Sequence, residues 1–234
     1  MANNDFSVES PQNYEQKSIC CFVVDVSGSM NGEPINALNK GLQEFHREIS
    51  NNSTTANRLE VAIVGFASNV TTIQNPALVS EFSMPVLTTK DSTALVDGVR
   101  EAIRLTNNRK NWYKQTGQPY LRPWIILITD GEPDSDQDVN ALADEIESDT
   151  KNKKYVFLTV GVQGANMYVL EQISGFIQND FKDWVKMPAM KLEGLKFLDF
   201  FKWVSASMSV VASSKEGEKV DLPTPVDWLA GFDI

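Results

Sequence analysis

The chain has 234 residues, 42% of them apolar and 22% charged, an ordinary globular balance long enough for one α/β domain around a large core, so disorder is excluded as the default. Its net charge of −10, from 21 Lys and Arg against 31 Asp and Glu, repels phosphate backbones; this argues against a nucleic-acid partner and favours metal ions and other cations. The opening MANNDFSVES has no basic or apolar leader character and no apolar run approaches a membrane span. The adjacent Cys20 and Cys21 make neither a disulfide framework nor a zinc spacing, so the expectation is no membrane and a cytosolic setting.

Residues 1–17 are polar and read as a loose arm ahead of a single domain spanning 18–215, with 216–234 as a tail. ICCFVVD, residues 19–25, is a short β-branched run that predicts a buried strand. A turn follows, and Pro34 suits the first turn of a helix that carries Ile35, Leu38, Leu42, Phe45 and Ile49 on one face. RLEVAIVGF, residues 58–66, predicts a second strand, with a shorter one over 70–73 beside it as an antiparallel edge. Residues 93–106 read as a helix through Leu95, Val99 and Ile103, then 123–129, PWIILIT, as a third buried strand. A helix over 138–150 through Val139, Leu142 and Ile146 leads to a buried strand over 155–162. A short helix over 166–174 and a weak strand over 184–187 come next. The last helix, 195–213, carries the stripe Phe197, Phe201, Val204, Met208 and Val211, with Phe200 and Trp203 off it, facing a groove or the tail. Strands alternating with helices imply a doubly wound, Rossmann-like α/β fold with a mostly parallel sheet covered on both faces.

Ligands of such sheets collect outside the carboxyl ends of the strands. The first strand ends in Asp25-Val26-Ser27-Gly28-Ser29 and the third buried strand in Thr129-Asp130-Gly131, while Thr93 opens the intervening helix. Asp25, Ser27, Ser29, Thr93 and Asp130 are all hard oxygen donors, without sulfur or imidazole, a set that suits Mg2+ or Mn2+ in octahedral geometry. Gly28 lets the backbone turn closely enough for Ser27 and Ser29 to aim at one point. Helix capping and turn formation explain any one of these residues, but not the convergence of all five on strand ends.

Asp25-x-Ser27-x-Ser29, Thr93 and Asp130 resemble the metal-ion-dependent adhesion site of von Willebrand factor A (vWA) domains. The likeness extends over nearly the whole chain through DVSGSMNGEPINALNKGLQEF, KQTGQPYLRPWIILITDGEP, VGVQGANMYVLEQIS and LKFLDFFKWVSASMS, and is similar to the bacterial TerY-like, tellurium-resistance-associated branch. That resemblance implies a six-stranded sheet of order 3-2-1-4-5-6 with strand 3 antiparallel. It implies direct metal ligation by Ser27, Ser29 and sometimes Thr93, with Asp25 and Asp130 acting through water. It leaves one coordination position for a partner's carboxylate, and it associates the branch with protein kinase and phosphatase partners in stress or defence modules. Where many relatives have glycines, this chain has Lys90-Asp91-Ser92; Asp91 would raise metal affinity and discourage an acidic partner, offset by Lys90.

Other motifs weigh less. Asp134-Ser135-Asp136-Gln137-Asp138 with Glu145 approaches a calcium loop, but Val139 stands where a glycine is required, so acidic residues at a helix start are the better reading. His46 has no nucleophile or second histidine beside it and reads as a partly exposed helix residue. Lys151-Asn152-Lys153-Lys154 reads as a solvated turn. Trp112 and Tyr113 read equally as local packing or as interface anchors, whereas Trp124 belongs to the core. A metal-dependent protein-binding module is the leading expectation. A Mg2+-dependent phosphohydrolase is the alternative, but Ser27 stands where such enzymes need a second Asp to act as acid and base. A scaffold whose metal only stiffens loops is a third reading. Asp227 or Asp233 of the tail would compete for the open metal position.

Overall fold

The computed structural model describes residues 6, 8–90, 93–179, 181–215 and 218–224. In chain order the elements are β1 (Ser18–Asp25), α1 (Glu33–Asn51), α2 (Ser53–Arg58), β2 (Leu59–Phe66), β3 (Val70–Leu78), α3 (Leu95–Thr116) and β4 (Trp124–Thr129). There follow α4 (Val139–Lys151), β5 (Val156–Gly161), α5 (Met167–Gln172), β6 (Phe176–Gln178), β7 (Trp184–Lys186), β8 (Met190–Lys191) and α6 (Phe197–Ser213).

Six strands form one sheet of order β3-β2-β1-β4-β5-β8, with only β3 antiparallel to its neighbour. Every residue of β1, β2 and β4 is buried, which is why these strands lack polar alternation: helices cover both faces. The registers Asp25↔Phe66 and Val24↔Ile128 bring the carboxyl ends of β1, β2 and β4 level. That alignment places the β1 turn beside the end of β4.

Strand alternation sends neighbouring side chains to opposite faces. Cys20 joins the core under α1 and α6, and Cys21 the core under α3 and α4. Both thiols are free, and burial pushes that of Cys21 up to about 12, so it stays protonated and unreactive. On the first face Phe22 meets Phe45 and Phe201 with ring centroids 5.2 and 5.3 Å away. Gly41 lets α6 approach α1: a methyl there would overlap the Phe201 ring and lie 3.2 Å from Phe197 Cβ.

Several expectations change. Residues 9–17 are not loose. Glu9 pairs with Arg109 at 2.5 Å and Glu15 with Arg58 at 2.8 Å, Lys17 N–H donates to Pro119 O at 2.8 Å, and the Phe6 side chain is buried. The arm closes over Glu60, whose carboxylate takes both Nε and Nη2 of Arg109 and the Tyr113 hydroxyl, each at 2.7 Å. A buried ion pair of this kind repays its desolvation only where further hydrogen bonds satisfy the remaining oxygens, as the Tyr113 hydroxyl does here. The helix expected over 93–106 runs on to Thr116, so Trp112 and Tyr113 are helical and buried and serve packing. The weak strand near Trp184 exists but leaves the main sheet, pairing with β6 in a hairpin; the sixth strand is the two-residue β8. Phe200 is fully buried, and Trp203 donates from Nε1 to Pro223 O of the tail at 2.7 Å.

Candidate metal centre

Asp25 ends β1 with its side chain fully buried. Its Oδ1 accepts from Ser27 N–H at 2.8 Å and its Oδ2 from the Thr129 hydroxyl at 2.5 Å. Both oxygens are therefore held by the protein, one by the β1 turn and one by the end of β4. Ser27 Oγ lies 2.9 Å from Ser29 Oγ, and the Ser29 hydroxyl donates to Asp130 Oδ1 at 2.7 Å. The two serines and two aspartates thus form one hydrogen-bonded chain across the β1 and β4 loops.

Thr93 is tied to the same place by its backbone. Its N–H donates to Asp134 Oδ2 at 3.2 Å, and its carbonyl accepts from Asp134 N–H at 3.2 Å. The approach is close at Gly131. A Cβ there would lie 3.3 Å from Asp25 Oδ2 and 3.7 Å from Thr93 Oγ1, so a side chain would fill the cradle that these oxygens border. Gly164, at φ 98°, lets the loop after β5 close against the Asp130 carbonyl. The five residues singled out in the sequence are thereby gathered at one end of the sheet.

Burial is the main cause that pushes the Asp25 carboxyl above its ordinary 3.8, with the Asp130 charge adding to it against the bonds from Ser27 and Thr129. Burial raises Asp130 as well. No Lys, Arg or His side chain is bonded to either carboxylate among the described residues. Two desolvated carboxyls beside three hydroxyls and no cation fit a hard divalent ion: it supplies the missing positive charge, and oxygen donors are its preferred ligands. Among the described residues no group of three or more His, Cys, Asp or Glu could hold a metal, so an ion at this place would depend on the hydroxyls for its remaining ligands. Asp91 and Ser92 lie outside the described residues, as do Asp227 and Asp233.

The von Willebrand factor type A domain model matches residues 20–183, well over half of the chain. The chain belongs to that family. No curated protein matches it. Among solved structures, this vWA chain is similar to the pilus adhesin SpaC from Lactobacillus rhamnosus GG, with TM-score 0.62 and 14% identity over 86% of this chain and 31% of that one. It is also similar to the vWF domain of the type V pili tip protein Mfa5 from Porphyromonas gingivalis, with TM-score 0.58 and 10% identity over 87% of this chain and 99% of that one. Proximal thread matrix protein 1 from the mussel byssus gives TM-score 0.55 and 17% identity over 82% of this chain and 46% of that one. The vWA chain spans less than half the length of the mussel and SpaC proteins, and at these identities the likeness is one of fold.

Sequence reasoning gave no role to Thr129 or Asp134, which hold Asp25 and Thr93 in place. Thr129 stood visible in the strand-end run Thr129-Asp130-Gly131, and Asp134 in the acidic run that approached a calcium loop. In that run Asp138 caps α4, its Oδ1 accepting from Ala141 N–H at 2.9 Å, and Val139 is already helical, so helix capping accounts for it. His46 is half-buried, its Nε2 lying 3.0 and 3.1 Å from the carbonyls of Val79 and Phe82, which gives it a packing role beneath the β3 connection.

Proposed function

We propose that this vWA chain is a divalent-metal-dependent protein-binding module. Mg2+, or Mn2+ in its place, is held at Asp25, Ser27, Ser29, Thr93 and Asp130, and one position is left for a carboxylate from a protein partner. The observation that carries this reading is the pair of burial-raised carboxyls, without a cation, facing three hydroxyls across the Gly131 cradle. Asp25 has both oxygens engaged by the protein, which favours action through water, whereas the Ser27 and Ser29 hydroxyls are the ones to turn toward the ion. When bound, the ion supplies a Lewis-acidic grip on an acidic side chain.

The site is proposed as non-enzymatic. A phosphohydrolase of the kind that starts from a strand-end Asp needs an acid–base group two residues on, and that position is Ser27, whose hydroxyl is shared with Ser29. Adhesion proteins among the structural neighbours are in keeping with a binding role. A bacterial stress-response or defence setting with a kinase or phosphatase partner rests on the TerY-like resemblance alone. Two free buried cysteines agree with a cytosolic one.

Thermal melts of the wild type and Asp25→Ala under Mg2+ titration test the metal. Binding restricted to the folded state adds about 2.7 kcal/mol at a hundredfold excess over Kd, and this gain should vanish in the variant while neither protein hydrolyses a generic phosphoester. An equal response in both proteins would mean that the ion binds elsewhere.

A further inference from the structure

The pole opposite the metal site carries a positive surface that metal binding does not use. α3 and α4 start near the metal end and finish at the base of the sheet, beside the segments that enter β4 and β5. The register Trp124↔Val156, with Val156 N–H donating to Pro123 O at 2.8 Å, sets Arg122 next to the turn of residues 152–155. Lys110 reaches from α3 to that turn, its Nζ donating to the Lys154 carbonyl at 2.8 Å. Lys114 is exposed one turn further along α3, and Lys153 is exposed in the turn at φ 57°.

Five cations therefore share one face of a chain whose net charge is −10. Lys154 pairs with Asp149 at 2.6 Å. The side chain of Lys110 has a carbonyl only, and the side chains of Arg122, Lys114 and Lys153 have no hydrogen bond or ion pair among the described residues. Arg122 is half-buried, and its guanidinium has no acceptor among the described residues and keeps partial contact with solvent; burial alone pulls it below its ordinary value. Lys110 is pulled down by burial first and then by Lys114 and Lys154, with Asp149 opposing and Arg122 adding to it. An arginine stays charged whatever its surroundings, so an anionic group beside Arg122 offsets its partial loss of hydration.

We propose that this face docks an acidic segment of a partner protein, with carboxylates of the segment taken by Arg122 and by Lys110 and Lys114 of α3. The guanidinium fork suits a carboxylate. The spread of the cations over a helix end, a strand entry and a turn suits several carboxylates in a row better than one small anion. The acidic remainder of this chain repels a long, uniformly charged polyanion such as a nucleic acid more than a short acidic segment confined to this face. The proposal does not depend on metal at the other pole.

Anisotropy of labelled octaglutamate, with octaglutamine as the uncharged control, tests it on the full chain. Lys114→Glu/Lys153→Glu reverses two exposed charges without touching the core, and Arg122→Gln removes the half-buried one. Octaglutamate should bind the wild type in preference to octaglutamine. The double reversal should weaken it about tenfold, and a rise from about 50 to about 200 mM salt should weaken it too. Asp25→Ala and EDTA should change nothing, which separates this face from the metal site. Equal binding of the two peptides, or equal binding of octaglutamate to wild type and double variant, would overturn the proposal. So would capture of the chain by phosphatidylserine vesicles in the absence of octaglutamate binding, or salt-sensitive self-association lost in the double variant.

Discussion

Asp25 carries the electrostatic problem of the metal end. A carboxylate removed from water needs compensation, and two hydrogen bonds from Ser27 and Thr129 leave the balance on the side of burial, with its ionisation raised above 3.8. An acid whose folded-state value is raised favours the fold while protonated, and this contribution is lost as pH rises through that raised value. Mg2+ held there as proposed would reverse the preference, since it requires the ionised form. The rise in Tm produced by Mg2+ should therefore be larger at about pH 7.5 than at about pH 4.5, and Asp25→Asn should flatten the difference. Equal gains at both pH values would show that the carboxyls do not sense the ion. The gathering of Asp25, Ser27, Ser29, Thr93 and Asp130 at one end of the sheet was legible in the sequence because each sits at a strand end or helix start marked by its own local pattern. Arg122 was not legible, since its lack of an acceptor is a property of the folded neighbourhood.

Elements with a strong apolar pattern matched expectation, and those whose reason lies in tertiary contacts did not. β1, β2, β4 and β5 follow their β-branched runs. The second half of α3, NNRKNWYKQT, reads as polar loop because Asn and Lys dominate it. It is helical because Arg109, Trp112 and Tyr113 recur at helical spacing on the buried side, where Arg109 serves Glu60. β8 has two residues and no pattern to read. The contact between α1 and α6 turns on Gly41, where even a methyl meets Phe201. Gly41→Ala should destabilise the chain by about 1–3 kcal/mol through overpacking, although alanine is the better helix former. Urea denaturation reads this directly, and a gain in stability would show that α6 has room to move away.

At the scale of the whole molecule, α6 bears on whether the two poles communicate. Its Phe197, Phe200 and Phe201 are fully buried, and Trp203 ties it to Pro223. Such packing has few half-way states. Amide exchange across residues 197–213 should keep core-level protection with and without Mg2+; protection that changed with the ion would establish a second arrangement of the helix.

The sheet's two margins have a different consequence. On one side β3 carries Pro76, and its pairing with β2 slips between Val61 and Val64; on the other, β8 offers two residues. A strand from another chain needs a long, regular row of free N–H and C=O groups to add itself to a sheet, and neither margin provides one. The main sheet is thereby guarded against templated, amyloid-like growth even when the chain is crowded at high concentration.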